Sequence, residues 1–279
     1  MAKTILALHA HPDDESSKGA ATVARHVAEG WRAVLVTATG GEAGDILNPA
    51  MDRPEVVADL ARIRRDELAE AAEIIGYADV VLLGHRDSGM PDSDHNRAPG
   101  ALWNQPYDDV LEQVVTIVRR ERPDVVLGYD DHEFYPHPDH LVIHRLTVDI
   151  RDAAADAKRF PGAGPPWEIE RVYAPVFSVE RITALHEAML ERTGTSPFTG
   201  WLDRLDDLEA TDRPEIRRVD VTGYIEQGRN ALRAHRTQID PDGFWFMVPT
   251  EVVEAIYPWE DFELIAPAGP DPGEDGALL

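Results

Sequence analysis

The stretch T-I-L-A-L-H-A-H-P-D-D-E, residues 4–15, joins a short apolar run to two histidines, a proline and three consecutive acids. The run Thr4–Leu8 is rich in Ile and Leu and too short for a buried helix, so it predicts a buried β-strand. A connecting loop would need only residues such as Gly, Asn or Ser. The imidazoles and carboxylates therefore indicate that a functional site begins where this strand ends.

Short apolar runs alternate with longer helical patterns as far as Phe177. Further strands are predicted at Ala33–Thr37, Asp79–Leu83, Asp124–Gly128 and Arg171–Phe177, and helices at residues 18–29, 55–75, 107–120 and 139–155. The segment 55–75 carries an apolar stripe amid charges, as expected for a helix packed on a core. This alternation predicts an α/β fold, with a mostly parallel sheet that helices cover on both faces.

After the fifth predicted strand the pattern is less regular. Helices are predicted at residues 179–192 and 222–236 and a strand at Arg217–Val221. Residues 267–279 are rich in Pro, Gly and Asp and predict a disordered tail. The sequence shows no repeat and no linker that would separate two domains. We therefore predict one catalytic domain over residues 1–266, with a C-terminal α+β elaboration of the sheet.

The composition excludes several classes of partner. The chain has 279 residues, of which 52 are acidic and 27 basic, a net charge of −25. This charge repels nucleic acid and anionic membranes, so neither is an expected partner. There is no cysteine, which leaves His, Asp and Glu as metal ligands. The sequence shows no signal segment and no long apolar span, and we expect a cytoplasmic protein.

Polar clusters follow three further predicted strands, at residues 39–45, 85–89 and 129–140. The last contains H-P-D-H at residues 137–140, which parallels H-P-D-D at residues 11–14. In open parallel sheets, ligands bind beyond the carboxyl ends of the strands. We therefore expect the two motifs to meet at one edge of the sheet.

The two motifs together supply ligands for a catalytic metal. His11 and Asp14 are three residues apart on a turn and can direct their side chains to one point, and His140 completes the set. Three protein ligands with one open position describe a catalytic zinc site, and ferrous iron suits the same ligands. Asp13 then points toward the open position, where a carboxylate can act as the general base of a hydrolysis.

The second motif offers further catalytic groups. His137, as an imidazolium, could protonate a leaving amine or stabilise a tetrahedral oxyanion. Asp139 could hold the imidazole of His137 in orientation. The phenol of Tyr135 could polarise a carbonyl. These groups predict a metal-dependent hydrolase.

Each motif also has a structural interpretation. Asp13 and Asp14 precede a helix, where acids serve as N-caps or complement the helix dipole. His9 faces away from His11 along the strand and is expected to be buried with its hydrogen bonds satisfied. A sugar-binding or nucleotide-binding protein without catalysis is the non-enzymatic alternative. Two such motifs at one edge of a sheet favour the metal-dependent enzyme.

H-P-D-D-E at residues 11–15, together with H-P-D-H at residues 137–140, resembles the PIG-L/LmbE-like family of zinc-dependent N-acyl hydrolases. The similarity covers residues 3–265. It implies a Rossmann-like fold and cleavage of an amide on the nitrogen of an amino-sugar. It also implies His11, Asp14 and His140 as metal ligands, with Asp13 as the catalytic carboxylate.

Within this family, residues 16–20, 46–52 and 233–241 resemble the mycothiol S-conjugate amidases in particular. That resemblance implies a small-molecule substrate in which an amide joins an S-substituted cysteine to glucosaminyl-inositol. It also implies sugar contacts for Arg64 and Asp87, and Lys18 could meet the acyl group. A deacetylase of N-acetylglucosaminyl-inositol or a related amino-sugar, and an amidase of a related thiol or antibiotic pathway, are the alternatives.

These substrate-contacting candidates have structural interpretations too: a solvated lysine for Lys18, a helix-surface ion pair for Arg64 and a turn acid for Asp87. The sequence also departs from the family at one place. Relatives usually carry Gly-Gly before the tyrosine of the second motif, where this chain has Glu133-Phe134. Two bulky residues stiffen that loop and change the pocket wall beside Tyr135. Self-association into a homo-oligomer stays open.

Overall fold

The computed structural model describes residues 2–131, 135–205, 216–267 and 276–279. Within them, seven strands form one sheet: β1 Thr4–His9, β2 Arg32–Thr39, β3 Asp79–His85, β4 Val125–Leu127, β5 Arg171–Val176, β6 Ile216–Asp220 and β7 Trp259–Ala266. Their order across the sheet is β3-β2-β1-β4-β5-β7-β6. Strands β1 to β5 are parallel, whereas β7 is antiparallel to β5 and β6. The predicted α/β fold with a mostly parallel sheet is confirmed.

The described α-helices are α1 Asp14–Ser17, α2 Ala20–Ala28, α3 Pro54–Ala58, α4 Leu60–Ile75, α5 Tyr107–Glu121, α6 Pro138–Ala155, α7 Val179–Thr193, α8 Thr199–Leu205, α9 Ile225–Ala234 and α10 Thr250–Ile256. The single helix predicted at residues 55–75 is two helices. Asp59, between them, leaves the helical conformation with a φ of −127°. The other predicted helices agree with the structure to within a few residues at each end.

The core lies on both faces of the central strands. Every residue of β1 is buried, and successive side chains point to opposite faces. Ile5 and Ala7 pack with α2, α4 and α9, whereas Leu6 and Leu8 pack with α5 and α6. A strand buried on both sides is the usual reason for a continuous apolar run in a parallel sheet.

The C-terminal part contains elements that the sequence pattern does not reveal. Strand β7 inserts between β5 and β6, and its sequence W-E-D-F-E-L-I-A carries three acids. Phe262 is fully buried, and the carboxylate of Asp261 is buried too, because it accepts hydrogen bonds from Ser178 and Tyr257. A polar-looking strand is therefore compatible with this position in the sheet. Helices α8 and α10 are likewise additions to the predicted elaboration.

The last four residues of the chain are packed against the sheet. The backbone N of Gly276 donates to Arg218 O at 2.7 Å, and the hydroxyl of Tyr173 donates to Leu278 O at 3.2 Å. Leu278 is 1% exposed. The disorder predicted for residues 267–279 is therefore wrong for residues 276–279, because Leu278 anchors them in the apolar core. Residues 268–275 lie outside the described part. In that part, none of the helices combines the length and apolar character that crossing a bilayer requires.

Candidate metal centre and active-site cleft

The topology of the sheet brings the two histidine motifs together. After β1 the chain moves outward in one direction to β2 and β3, and β4 then starts on the other side of β1. The reversal creates a crevice between the carboxyl ends of β1 and β4, where ligands bind in folds of this kind. His11 to Asp14 follow β1, and His137 to His140 open α6 after β4. The predicted meeting of the two motifs is confirmed.

The turn after β1 has an unusual backbone at Asp13. Its φ of 119° lies in the left-handed region, where a residue with a side chain costs about 1–3 kcal/mol. Its side chain makes no capping hydrogen bond to α1. Asp14 Oδ2 instead accepts a hydrogen bond from the backbone N of His11 at 2.9 Å. The capping interpretation of Asp13 is therefore wrong, and the turn aims its two carboxylates in different directions.

Three ligand atoms form what we call the metal triangle: His11 Nδ1, Asp14 Oδ2 and His140 Nε2. They are separated by 3.4 Å for His11 and Asp14, 3.3 Å for the two histidines, and 3.4 Å for His140 and Asp14. Tetrahedral zinc binds nitrogen and oxygen at about 2.0–2.1 Å, which requires about 3.3–3.4 Å between ligand atoms. The three residues predicted as ligands therefore fit a zinc ion.

A second group of potential ligands overlaps the first, namely His11, Asp87, His137 and Asp139. Its carboxylates already have partners. Asp139 accepts hydrogen bonds from the backbone N and the Oγ of Ser88 at 2.9 and 2.5 Å, and Asp87 accepts from two backbone N–H groups. Asp139 Oδ2 also faces His11 Nε2 at 3.2 Å. A carboxylate in this position orients a metal-binding histidine.

This contact corrects one prediction. The carboxylate of Asp139 does not hold His137, as the sequence suggested, but His11. Only the backbone N of Asp139 reaches His137, donating to Nδ1 at 3.2 Å. The reason is helical geometry: His137 is the N-cap of α6, so its ring turns back toward the first N–H groups of the helix.

The charges around the metal triangle favour a cation. Burial opposes a charge on His11, yet its acidic neighbours, Asp139 foremost, raise the pKa of its imidazole well above the usual value. Burial lowers the pKa of His140 to about 4, which keeps that ring neutral. Burial also opposes ionisation of Asp14, but Lys18 lowers the pKa of its carboxyl well below the usual range. A metal ion can replace the proton that the carboxylates otherwise hold on His11.

Asp13 lies beside the metal triangle and outside it. Its carboxylate contacts an Nη of Arg64 at 3.0 Å, and its backbone N donates to Glu15 Oε2 at 2.9 Å. Its side chain is 25% exposed. Burial raises the pKa of Asp13 to about 6, although Arg64 acts in the opposite direction. A general base near neutral pH works best with a pKa in this range.

Nε2 of His137 makes no hydrogen bond to any of the described residues. Burial, followed by the charge of His11, lowers its pKa to about 4. Since Nδ1 accepts a hydrogen bond from the backbone, the ring proton is on Nε2, which lies 3.8 Å from Asp87. The predicted imidazolium is therefore not the form that these contacts favour. Tyr135 is half exposed and stacks on the ring of His137, with 6.0 Å between the ring centroids. Its hydroxyl lies 3.5 Å from the sulfur of Met90.

The structural interpretations of the substrate-contacting candidates do not hold for two of them. Lys18 is not a solvated lysine, because its Nζ is 2.6 Å from Asp14 Oδ1. Arg64 is not on a helix surface: it is 2% exposed and donates to Pro12 O at 2.5 Å, to Gly41 O and to Asp13. Both residues and Asp87 line the cleft, and their contacts with a substrate stay predictions. Glu133-Phe134 lie outside the described residues.

Some buried polar residues behind the site were not predicted. His235 pairs with Glu15 at 2.6 Å. Burial disfavours the charged form of each residue. The charge of the partner acts in the opposite direction and prevails, so the pKa of His235 is raised and that of Glu15 is lowered. Ser88, which holds Asp139, was also missed. His9 is buried as predicted, but neither ring nitrogen has a partner among the described residues, so its predicted hydrogen bonds are wrong.

The metal triangle opens into a cleft of about 920 Å³. Three of its lining residues form an aromatic wall, which we define as Phe177, Trp201 and Trp245. The ring of Phe177 lies 5.9 Å from that of Trp201 and 6.2 Å from that of Trp245. Behind the wall, Phe244 stacks on Trp201 at 5.3 Å with 7° between the planes. Phe177 directly follows β5, the neighbour of β4, which places the wall at the same edge of the sheet as the metal triangle.

Comparison with known proteins gives the same picture. Mycothiol S-conjugate amidase of Streptomyces coelicolor is 40% identical over 266 residues, covering 93% of this chain and 90% of that protein. The 1D-myo-inositol 2-acetamido-2-deoxy-alpha-D-glucopyranoside deacetylase of Geodermatophilus obscurus is 37% identical over 271 residues, covering 94% and 92%. The solved structure of N,N'-diacetylchitobiose deacetylase from Pyrococcus horikoshii shares the fold, with a TM-score of 0.63 at 20% identity over 94% of this chain and 84% of that one.

The resemblance predicted from the two histidine motifs is thereby confirmed, both for the family and for its mycothiol S-conjugate amidases. The family model described as GlcNAc-PI de-N-acetylase matches residues 6–151, which run from β1 into α6 and include both motifs. With the metal triangle assembled from the two ends of that segment, the chain belongs to the PIG-L family.

Proposed function

We propose that this chain is a zinc-dependent amidase that cleaves the N-acyl bond of a glucosaminyl-inositol thiol conjugate. The position of Asp13 carries the proposal, because a partly exposed carboxylate beside three metal ligands is an arrangement that activates water. The relatives supply the substrate class: one is named an amidase of mycothiol S-conjugates and the other a deacetylase of an inositol acetamido-glucopyranoside.

The metal would be held by His11, Asp14 and His140. Asp139 fixes the ring of His11 from behind, and Lys18 occupies the oxygen of Asp14 that faces away from the metal triangle. Zinc supplies a Lewis acid and lowers the pKa of water at such a site. Ferrous iron accepts the same ligands, and metal analysis of protein purified with and without oxygen distinguishes the two.

The protein's own groups carry the proton transfers. Asp13 accepts a proton from water as the water oxygen bonds to the acyl carbon, and Arg64 keeps its carboxylate in place. The Nε2–H of His137 and the hydroxyl of Tyr135 donate hydrogen bonds to the carbonyl oxygen as it gains charge. Asp13 then returns the proton to the amine nitrogen as the carbon–nitrogen bond breaks. This assignment replaces the imidazolium acid, because Nδ1 of His137 is occupied by the backbone of α6.

The aromatic wall favours an acyl group larger than acetyl. An acetyl group has a single methyl group to bury, whereas the apolar substituent of an S-conjugate has more surface to bury against indole and phenyl rings. The wall therefore supports the amidase over the deacetylase.

Two measurements test the proposal. Removal of metal with a chelator should abolish turnover, and zinc should restore it; turnover that persists without metal would contradict the mechanism. Values of kcat/KM for a cysteinyl S-conjugate and for the N-acetyl analogue should then favour the conjugate. A preference for the acetyl substrate would support the second candidate, N-deacetylation, for which the 37% identity to a deacetylase argues. The cytoplasmic location and self-association stay predictions from the sequence.

A further inference from the structure

A buried ion pair lies directly behind the first histidine motif. His235 Nε2 is 2.6 Å from Glu15 Oε1, and neither side chain is exposed to solvent. The other ring nitrogen of His235, Nδ1, has no hydrogen-bond partner among the described residues. Among the described residues, the imidazole of His235 therefore hydrogen-bonds to Glu15 alone, although burying Nδ1 without a partner is unfavourable.

The carboxylate of Glu15 also contacts the backbone of Asp13. Its Oε2 accepts a hydrogen bond from the N of Asp13 at 2.9 Å, and its Oε1 also accepts from the Oγ of Ser16 at 2.5 Å. Asp13 is in the left-handed conformation, with φ 119°. A non-glycine residue keeps such a conformation only where its surroundings hold it. The carboxylate of Glu15 holds the N–H of Asp13, whereas the carbonyl of Asp13 accepts from the backbone N of Ser16 and of Ser17, both at 3.1 Å.

The carboxylate of Asp13 is held separately by Arg64 on α4. His235 directly follows α9, and α9 packs against α4. Two neighbouring helices thus hold one residue, α4 at its carboxylate and α9, through Glu15, at its backbone N–H. His235 itself does not line the cleft.

We infer that His235 is a positioning residue for the hydrolysis: through Glu15, it holds Asp13 in the left-handed conformation that presents its carboxylate to the cleft. The inference rests on the proposed role of Asp13 as general base. A catalytic group displaced by about 1 Å can lose about 10²-fold in rate. The contact therefore acts on the rate of the reaction rather than on substrate or metal binding.

The competing explanation is that the pair only fastens the segment after α9 to the rest of the protein. That segment has a second buried anchor two residues away. The backbone N and the Oγ1 of Thr237 donate to the carboxylate of Glu67 at 3.0 and 2.7 Å. In the described part of the chain, neither Thr237 nor Glu67 hydrogen-bonds to a residue of the first motif, so Thr237→Val is a matched control for the anchor.

The test compares His235→Gln, Thr237→Val and wild type by kcat, KM, metal affinity and thermal unfolding. His235→Gln should lower kcat by about 10–100-fold and leave KM and metal affinity unchanged. Thr237→Val should lower the unfolding temperature and leave kcat unchanged. An equal loss of kcat in both variants would show that only the anchoring of the segment matters, and would overturn the inference. An unchanged kcat in His235→Gln, together with an inactive Asp13→Asn, would also overturn the inference. An active Asp13→Asn would instead contradict the proposed function.

A double-mutant cycle adds a second criterion. If His235 acts only through Glu15, then Glu15→Ala and the Glu15→Ala/His235→Gln double variant should share one kcat. Losses that multiply would show that His235 acts by another route.

Discussion

Replacing Asp139 by Asn tests which atoms hold the metal. Three groups meet the two carboxylate oxygens of Asp139: the backbone N of Ser88 at 2.9 Å, its Oγ at 2.5 Å and His11 Nε2 at 3.2 Å. An Asn amide offers one oxygen and one NH2 group, so the NH2 must face at least one of these donors. The ring of His11 then loses its fixed orientation or Ser88 loses an acceptor. His11 Nδ1 itself remains available to the metal.

The expected magnitude follows from this placement. Loss of the group behind a metal-bound histidine lowers metal affinity by about 10–100-fold, or about 1.4–2.7 kcal/mol. Asp14→Ala removes a ligand instead. Structural zinc sites bind with about 10–16 kcal/mol over four ligands, so each ligand accounts for roughly 2.5–4 kcal/mol, or about 10²–10³-fold. We therefore expect Asp14→Ala to weaken binding more than Asp139→Asn.

The assay is zinc affinity measured by competition with a chelator of known strength. Asp149→Asn is the matched control, because Asp149 lies on the same helix, α6, and binds Tyr107 at 2.8 Å, away from the metal triangle. It should bind zinc like wild type. A larger loss for Asp139→Asn than for Asp14→Ala would place the metal on the second group of ligands. An unchanged affinity in Asp139→Asn would show that this carboxylate does not orient His11.

Three further outcomes are expected. Asp13→Asn should lower kcat by about 10²–10⁴-fold and retain its metal; loss of the metal would make Asp13 a ligand. Because burial raises the pKa of Asp13 to about 6, kcat/KM should fall as the pH drops through that value. A bound cation moves this fall to lower pH. A flat profile would refute the assignment. Trp201→Ala should cost an aryl S-conjugate about 10–100-fold in kcat/KM and spare an acetyl substrate, whereas equal losses would place the sugar on the wall.

The sequence could predict the metal triangle because the signals for it are local. An apolar run followed by His11 and Asp14 indicates a strand that ends in ligands, and the same signal recurs at His140. Parallel sheets then place both strand ends at one edge. Strand β7 was not predictable in this way, because its three acids hide a strand whose burial depends on partners such as Ser178.

The contacts that distinguish the roles of the site residues are non-local or depend on the backbone. The pairing of His235 with Glu15 joins residues 220 positions apart, and that of Arg64 with Asp13 joins residues 51 positions apart. No spacing rule relates such positions. The proton on Nε2 of His137 follows from a backbone N–H at the start of α6, which only the folded helix supplies. Residue types thus predict a site, and folded partners assign the roles.

The acidic triplet after β1 shows how this assignment works. Three consecutive carboxylates repel one another unless each has a cation. In the structure each acid has its own: Asp14 contacts Lys18, Asp13 contacts Arg64 and Glu15 contacts His235. The exposed fraction of the acid side chains falls from 25% for Asp13 to 5% for Asp14 and 0% for Glu15. The most exposed acid can reach water, the next has an oxygen left for a metal, and the buried one can only hold its neighbour. The chemistry of each acid therefore depends on the partner that the fold provides.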